Sequence, residues 1–155
     1  MAKSAIEKLN AKKQVKIVNQ LPAGVKWAPA GASMAVSTPA EVNQLMAQIP
    51  KEKLITITHI RDFLANKYET DITCPISTGI FINIAAAAAE EMRAGNIKTI
   101  TPYWRTLKAD GELNPKYPVY PDQQKTLLEA EGFTVIQKGK KYFVQDFLEH
   151  AFTLT

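Results

Sequence analysis

Ile100-Thr101-Pro102-Tyr103-Trp104-Arg105 follows the longest helical pattern of the chain and precedes its clearest turn, and its reading decides how the rest is arranged. Pro102 fixes its own φ and biases Thr101 towards an extended conformation, which predicts that Tyr103 and Trp104 leave the backbone on opposite sides. Two arrangements follow. Either one ring lines a pocket, Tyr103 being the pocket-facing residue, while the other fills a core, or both rings and the stem of Arg105 are core and rim.

Upstream, Thr38-Pro39-Ala40-Glu41 is a helix start, with Thr as cap, Pro at the first helical position and Glu three residues after the cap. Val42, Leu45, Met46 and Ile49 then share one face, and Pro50 ends the helix. A second capped helix is predicted from near Thr58 to about Tyr68, and a third from Gly79 to Ala94, capped by Ser77 or Thr78 and terminated by Gly95. Ala85 through Ala89 leave more than one turn of the third helix without a bulky side chain, so something approaches its backbone closely. That is either tight helix packing or a nucleic-acid groove or partner. Two short helices and then a longer one is the helix-turn-helix order.

Downstream, Ala109-Asp110-Gly111-Glu112 is a turn and Asn114-Pro115-Lys116-Tyr117-Pro118 a rigid loop. A helix opens at Asp122 and closes at Gly132. Phe133–Ile136 and Tyr142–Val144 then flank a basic hairpin tip in which Lys138, Lys140 and Lys141 are either a phosphate-touching wing or a soluble turn. The fold class is mainly α with small β (α+β), a winged helix-turn-helix.

At 155 residues with 46% hydrophobic content, the chain fits one core with an appendage. Its net charge of +4 is unevenly placed: residues 1–26 hold six lysines against Glu7, or +5, and the remainder holds 13 basic against 14 acidic residues, or −1. The basicity therefore belongs to an arm, which either grips phosphates or is a solvated helix. Ile6, Leu9, Val15, Ile17 and Val18 give residues 3–19 an imperfect helical stripe, and 25–37 read as a connector pinned by Trp27. Residues 1–37 are thus taken as a basic N-terminal helical arm and connector, and 38–155 as the winged-helix domain. No window approaches a membrane span, and the expected location is cytoplasmic. One cysteine, Cys74, and the distant His59 and His150 make no zinc spacing, so neither metal nor cofactor is expected.

In this order the motifs resemble one family, the C-terminal DNA-binding domain of O6-alkylguanine-DNA alkyltransferases together with the non-catalytic alkyltransferase-like proteins. Thr38-Pro39, Ile49-Pro50 and Leu54-Ile55-Thr56 resemble its opening helix, Ile-Pro break and following segment. Asn96, then Pro102 with Arg105, Asp110-Gly111, and Leu127-Leu128 with Glu131-Gly132 resemble its asparagine hinge, the frame of its Pro-Cys-His-Arg motif, its loop and its closing helix. The resemblance covers residues 38–132.

By this resemblance Tyr103 stands at the acceptor cysteine and Trp104 at the proton-relay histidine. Alkyl transfer needs a thiolate, and a tyrosine with an ordinary pKa of about 10 and no adjacent base does not replace it. No catalysis is expected. The family's base-rotating tyrosine corresponds to Ile57 and its intercalating arginine to the region of Phe81, Ile82 and Asn83. An apolar wedge can partly replace arginine in holding open a gap that costs a few kcal/mol. Glu131 stands where the family orients its histidine, and is expected to bond a backbone amide or Tyr103 instead. The expected partner is double-stranded DNA, with alkylated guanine recognised but not repaired. The alternative is a scaffold that has lost DNA and serves a protein partner or a small ligand.

Overall fold

The computed structural model describes residues 4–155. Helix α1 (Ala5–Leu9) leads to strand β1 (Lys16–Val18), then β2 (Met34–Val36), helix α2 (Pro39–Ala47), β3 (Ile55–Thr56) and α3 (Ile57–Lys67). Next come β4 (Ile72–Thr73), the long α4 (Pro75–Ala94), a 3-10 turn at Tyr103–Arg105, β5 (Thr106–Leu107), α5 (Asp122–Ala130), the β6 (Val135–Lys138) and β7 (Lys141–Val144) hairpin, and a closing 3-10 turn at Phe147–His150. The chain is α+β, as expected.

The helix starts follow local chemistry. Thr38 Oγ1 accepts from the Glu41 amide at 3.1 Å, and Pro39 occupies the first turn where no donor is needed. Thr56 and His59 form a reciprocal capping box on α3: the His59 amide donates to Thr56 Oγ1, and the Thr56 amide to His59 Nδ1. This fixes His59 in a structural role.

α4 begins four residues earlier than the sequence suggests, because Pro75 supplies a ready first turn and the Cys74 sulfur accepts from the Ser77 amide. Ser77 and Thr78 lie inside it. Its end rests on Asn96 rather than Gly95 alone. Asn96 takes the left-handed conformation (φ 66°), the Ile97 amide reaches back to Met92 O, and the Asn96 amide to Arg93 O. Ala85, Ala86, Ala88 and Ala89 are buried, and α4 packs against α1, α2, α3 and the 103–105 turn. The alanine run therefore serves close helix packing.

Residues 4–37 differ from the expected helical arm. Only Ala5–Leu9 are helical; Ile17 and Val18 belong to β1, where β-branched residues fit the pleat. β1 pairs antiparallel with β2, and β2 pairs parallel with β4, giving a three-stranded sheet in the order β1-β2-β4. The sheet thus crosses the boundary drawn at residue 37, with β2 built on the strand that runs into α4. Leu21, Ala32, Met34 and Cys74 form a small core of their own beneath it.

A second, two-stranded parallel sheet joins β3 to β5 in the main core. Gly111 (φ 87°) sits under Phe147, and a Cβ there would overlap the Phe147 ring. The β6–β7 hairpin closes through Gly139-Lys140, with Gly139 at φ 63°. No helix among the described residues is long and apolar enough to cross a membrane.

Candidate functional site

The 103–105 segment folds as a 3-10 turn, not an extended run, so Tyr103 and Trp104 do not point to opposite sides. Their rings meet edge to face at 5.4 Å, and Tyr117 packs on the other edge of Tyr103 at 5.2 Å. Tyr103 has no solvent exposure, and Trp104 is buried as well. The phenol of Tyr103 donates to Glu90 Oε2 at 2.6 Å, while Gln123 Nε2 donates to both the same carboxylate oxygen (2.6 Å) and the phenol oxygen (2.9 Å). Burial, reinforced by the bond to Glu90, pushes the Tyr103 pKa well above the usual phenol value. The phenol stays protonated and is no nucleophile.

Trp104 and Arg105 converge on Glu131. The indole N–H donates to Glu131 Oε2 at 2.8 Å; Arg105 Nε donates to Oε1 at 2.9 Å and Nη2 to Oε2 at 2.8 Å. Arg105 Nη1 also donates to the Ile49 carbonyl at 2.6 Å. As expected, Glu131 accepts from a backbone amide, that of Glu52 at 3.4 Å, but it does not bond Tyr103; its shorter bonds come from an indole and a guanidinium. Burial alone would raise the carboxyl pKa, but the bonds from Arg105 and Trp104 outweigh it and hold it below the ordinary value. Glu131 is committed to a clamp between α2, the 103–105 turn and the end of α5. It is not a free base.

A cavity of about 610 Å³ lies elsewhere. Ile57, Ile76, Gly79, Ile80, Ile82 and Asn83 form one wall, and the 106–109 and 114–117 segments the other. Tyr117 stands between this space and Tyr103, its hydroxyl donating to the Thr106 carbonyl at 3.0 Å. Asn114 Nδ2 donates to Asn83 Oδ1 at 3.1 Å, tying the loop to α4. The buried Thr106 hydroxyl has no partner among the described residues. Ile76 and Ile80 are exposed beside the cavity, as are Lys108 and Lys116.

Of the residues singled out from sequence, the cavity gathers only Ile82 and Asn83, together with Ile57. Pro102, Trp104 and Arg105 instead line a separate hollow of about 490 Å³ with Ile49 and Lys98, and Asn96 lines another of about 430 Å³ with Arg93 and Trp104. Lys138, Lys140 and Lys141 are exposed around the hairpin tip, with Lys138 Nζ 5.5 Å from the centre of the Phe143 ring. Glu90 and Gln123 escaped sequence reasoning because nothing local marks them as partners of Tyr103. Tyr117 carried a signal, as the one aromatic of a rigid Pro-flanked loop.

No group of His, Cys, Asp and Glu among the described residues could hold a metal ion. No protein-family model matches the chain, and neither does any curated protein. One solved structure is similar to it. This is S. pombe Atl1 in complex with damaged DNA containing O6-carboxymethylguanine, with 19% identity and a TM-score of 0.48 over 74% of this chain and 93% of that one. A likeness at this level carries no functional argument, and the roles of the residues rest on their own geometry.

Proposed function

We propose that this chain is a non-catalytic, alkyltransferase-like protein that binds double-stranded DNA, and that the cavity between α4 and the 106–117 segment takes an extruded base, alkylated guanine in particular. The carrying observation is a cavity of about 610 Å³ beside α4 whose lining contains no cysteine, histidine or carboxylate. It is of the size and apolar character of a small-molecule pocket, with Asn83, Asn114, Lys108 and Lys116 among the polar residues of its lining. It can hold a base but has no group to accept an alkyl substituent. Lys116 is available to phosphates beside it, Lys108 is held 3.5 Å from Glu112, and Ile80 or Ile76 is placed to fill the gap left in a base stack.

The joint burial of Tyr103 and Trp104, with exposed Ile76 and Ile80, favours a second reading in which the same groove receives a protein or a small ligand. Against it, residues 75–89 of α4 carry no acidic side chain that would repel DNA. Titration of plain and O6-methylguanine duplexes at two salt concentrations separates the readings. Binding that weakens with salt and tightens with the lesion supports the first. No binding at low salt overturns it, and equal affinity for both duplexes removes the lesion preference.

A further inference from the structure

The N-terminal segment lies outside the region whose motifs resemble an alkyltransferase domain, yet it is built against both ends of α4. The backbone amides of Ala5 and Ile6 donate to the Glu91 carboxylate at 2.7 and 3.1 Å, which seats α1 near the C-terminal end of the helix. At the other end the Cys74 amide, one residue before α4 begins, donates to the Ala35 carbonyl of β2 at 2.9 Å. Residues 10–15, including Lys12 and Lys13, connect the element seated at one end of this 20-residue helix, about 30 Å long, to the sheet at its other end. Ile17, Ala35 and Thr73 form one row across the sheet, so Lys16 adjoins a row spanning two strand spacings, about 10 Å, to the strand that enters α4.

Charge follows the same path. Residues 4–37 hold Lys8, Lys12, Lys13, Lys16 and Lys26 against Glu7, or +4, and all five lysines are exposed. None of them forms an ion pair among the described residues, whereas Lys67, Arg93, Arg105 and Lys108 each do. Residues 75–89 of α4 carry no charge at all. A helix lying on a polyanion needs its cations from neighbouring elements, and residues 4–37, anchored at both ends of α4, are the neighbouring segment with a net positive charge and lysines unpaired among the described residues.

We propose that residues 4–37 form a second phosphate-contacting surface, in which Lys12, Lys13, Lys16 and Lys26 extend the duplex DNA footprint of α4. This rests on the DNA-binding reading above. The competing role for these lysines is to keep the open edge of β1 from pairing with other chains.

The test is the salt dependence of binding to a plain duplex, measured for the full chain, for the Lys12→Gln/Lys13→Gln/Lys16→Gln/Lys26→Gln variant, and for a Lys51→Gln/Lys53→Gln/Lys125→Gln control. Each phosphate contact contributes about 0.9 to the slope of log K against log salt. The N-terminal variant is expected to lose about 2–4 from the slope and the control less than about 1. An unchanged slope in a variant that melts like the parent overturns the footprint and leaves the DNA-binding reading standing. A parent chain that binds no duplex overturns both.

Discussion

Changing Glu131 to Gln tests the clamp that holds the 103–105 turn. The substitution keeps the shape and replaces one acceptor oxygen with a donor, while three side-chain donors converge on the site, the indole N–H at 2.8 Å and Arg105 Nε and Nη2 at 2.9 and 2.8 Å, with the Glu52 amide at 3.4 Å as a fourth. Hydrogen bonds to a charged group contribute about 1.5–3 kcal/mol each, and removing one member of a buried ion pair costs about 3–5 kcal/mol because the other charge is left uncompensated. Both side chains here are about nine-tenths buried, at 10% and 8% exposure, so the upper range applies. We expect a loss of about 3–5 kcal/mol, read as a fall in urea midpoint without a change in slope, and as a melting temperature lower by about 6–20 °C for a chain of this size. The folded-state pKa of Glu131 is lowered, so its contribution is present above the unfolded value of about 4.3 and is lost as pH falls through the folded value. The Gln variant should therefore lack this part of the parent's acid destabilisation. Arg105→Met with Glu131→Leu should recover much of the loss, since no charge is stranded. A single Gln variant within about 1 kcal/mol of the parent, with an unaltered acid limb, would refute the clamp.

Tyr103→Cys should transfer no methyl group from an O6-methylguanine duplex, since position 103 is fully buried behind Tyr117 and does not line the cavity, even though the Glu90 carboxylate stands beside it; a mass gain of one methyl on the variant would contradict this. It should also lose about 3–4 kcal/mol from the cavity left by the ring. Gly111→Ala combines a positive φ with overlap onto Phe147, and should cost more than the roughly 1–3 kcal/mol usual for overpacking, visible in thermal unfolding. Of the five tyrosines, Tyr68, Tyr103, Tyr117 and Tyr120 have pKa values raised chiefly by burial, Tyr103 and Tyr117 by far the most, so the stabilising effect of these two is complete below the ordinary value of about 10 and fades as pH rises above it. Ultraviolet titration should find both silent until alkaline unfolding, and early ionisation of either ring would show that it is accessible.

Much of the helical frame was legible because its signals are local. Thr38-Pro39-Ala40-Glu41, the Pro50 break and the Gly139 hairpin each act within a few residues, and each folds as read. The N-terminal segment was misread because lysines among Val15, Ile17 and Val18 fit a helical stripe loosely. The β-branched pair that favours a strand is decided by β2, some 18 residues away. Tyr103 and Trp104 were read from Pro102 alone, yet their directions are set by Glu90, Gln123 and Glu131, up to 27 residues distant. No local pattern carries that information. The cavity is the sharper lesson: Ile82 and Asn83 were found through the resemblance, whereas Ile76, Ile80 and Tyr117 reach it only because α4 and the 114–117 loop meet in space.

The small core beneath the N-terminal sheet gives the molecule an internal clock. Cys74 is the sole thiol, buried between β2 and the start of α4 among Leu21, Ala32 and Met34, well apart from the main core. A thiol reagent reaches it when the layer around Leu21, Ala32 and Met34 lifts from the start of α4, and also when the whole chain unfolds. Labelling of Cys74 faster than global unfolding thus times the opening of this layer, and any ligand that bridges the layer and α4 should slow it.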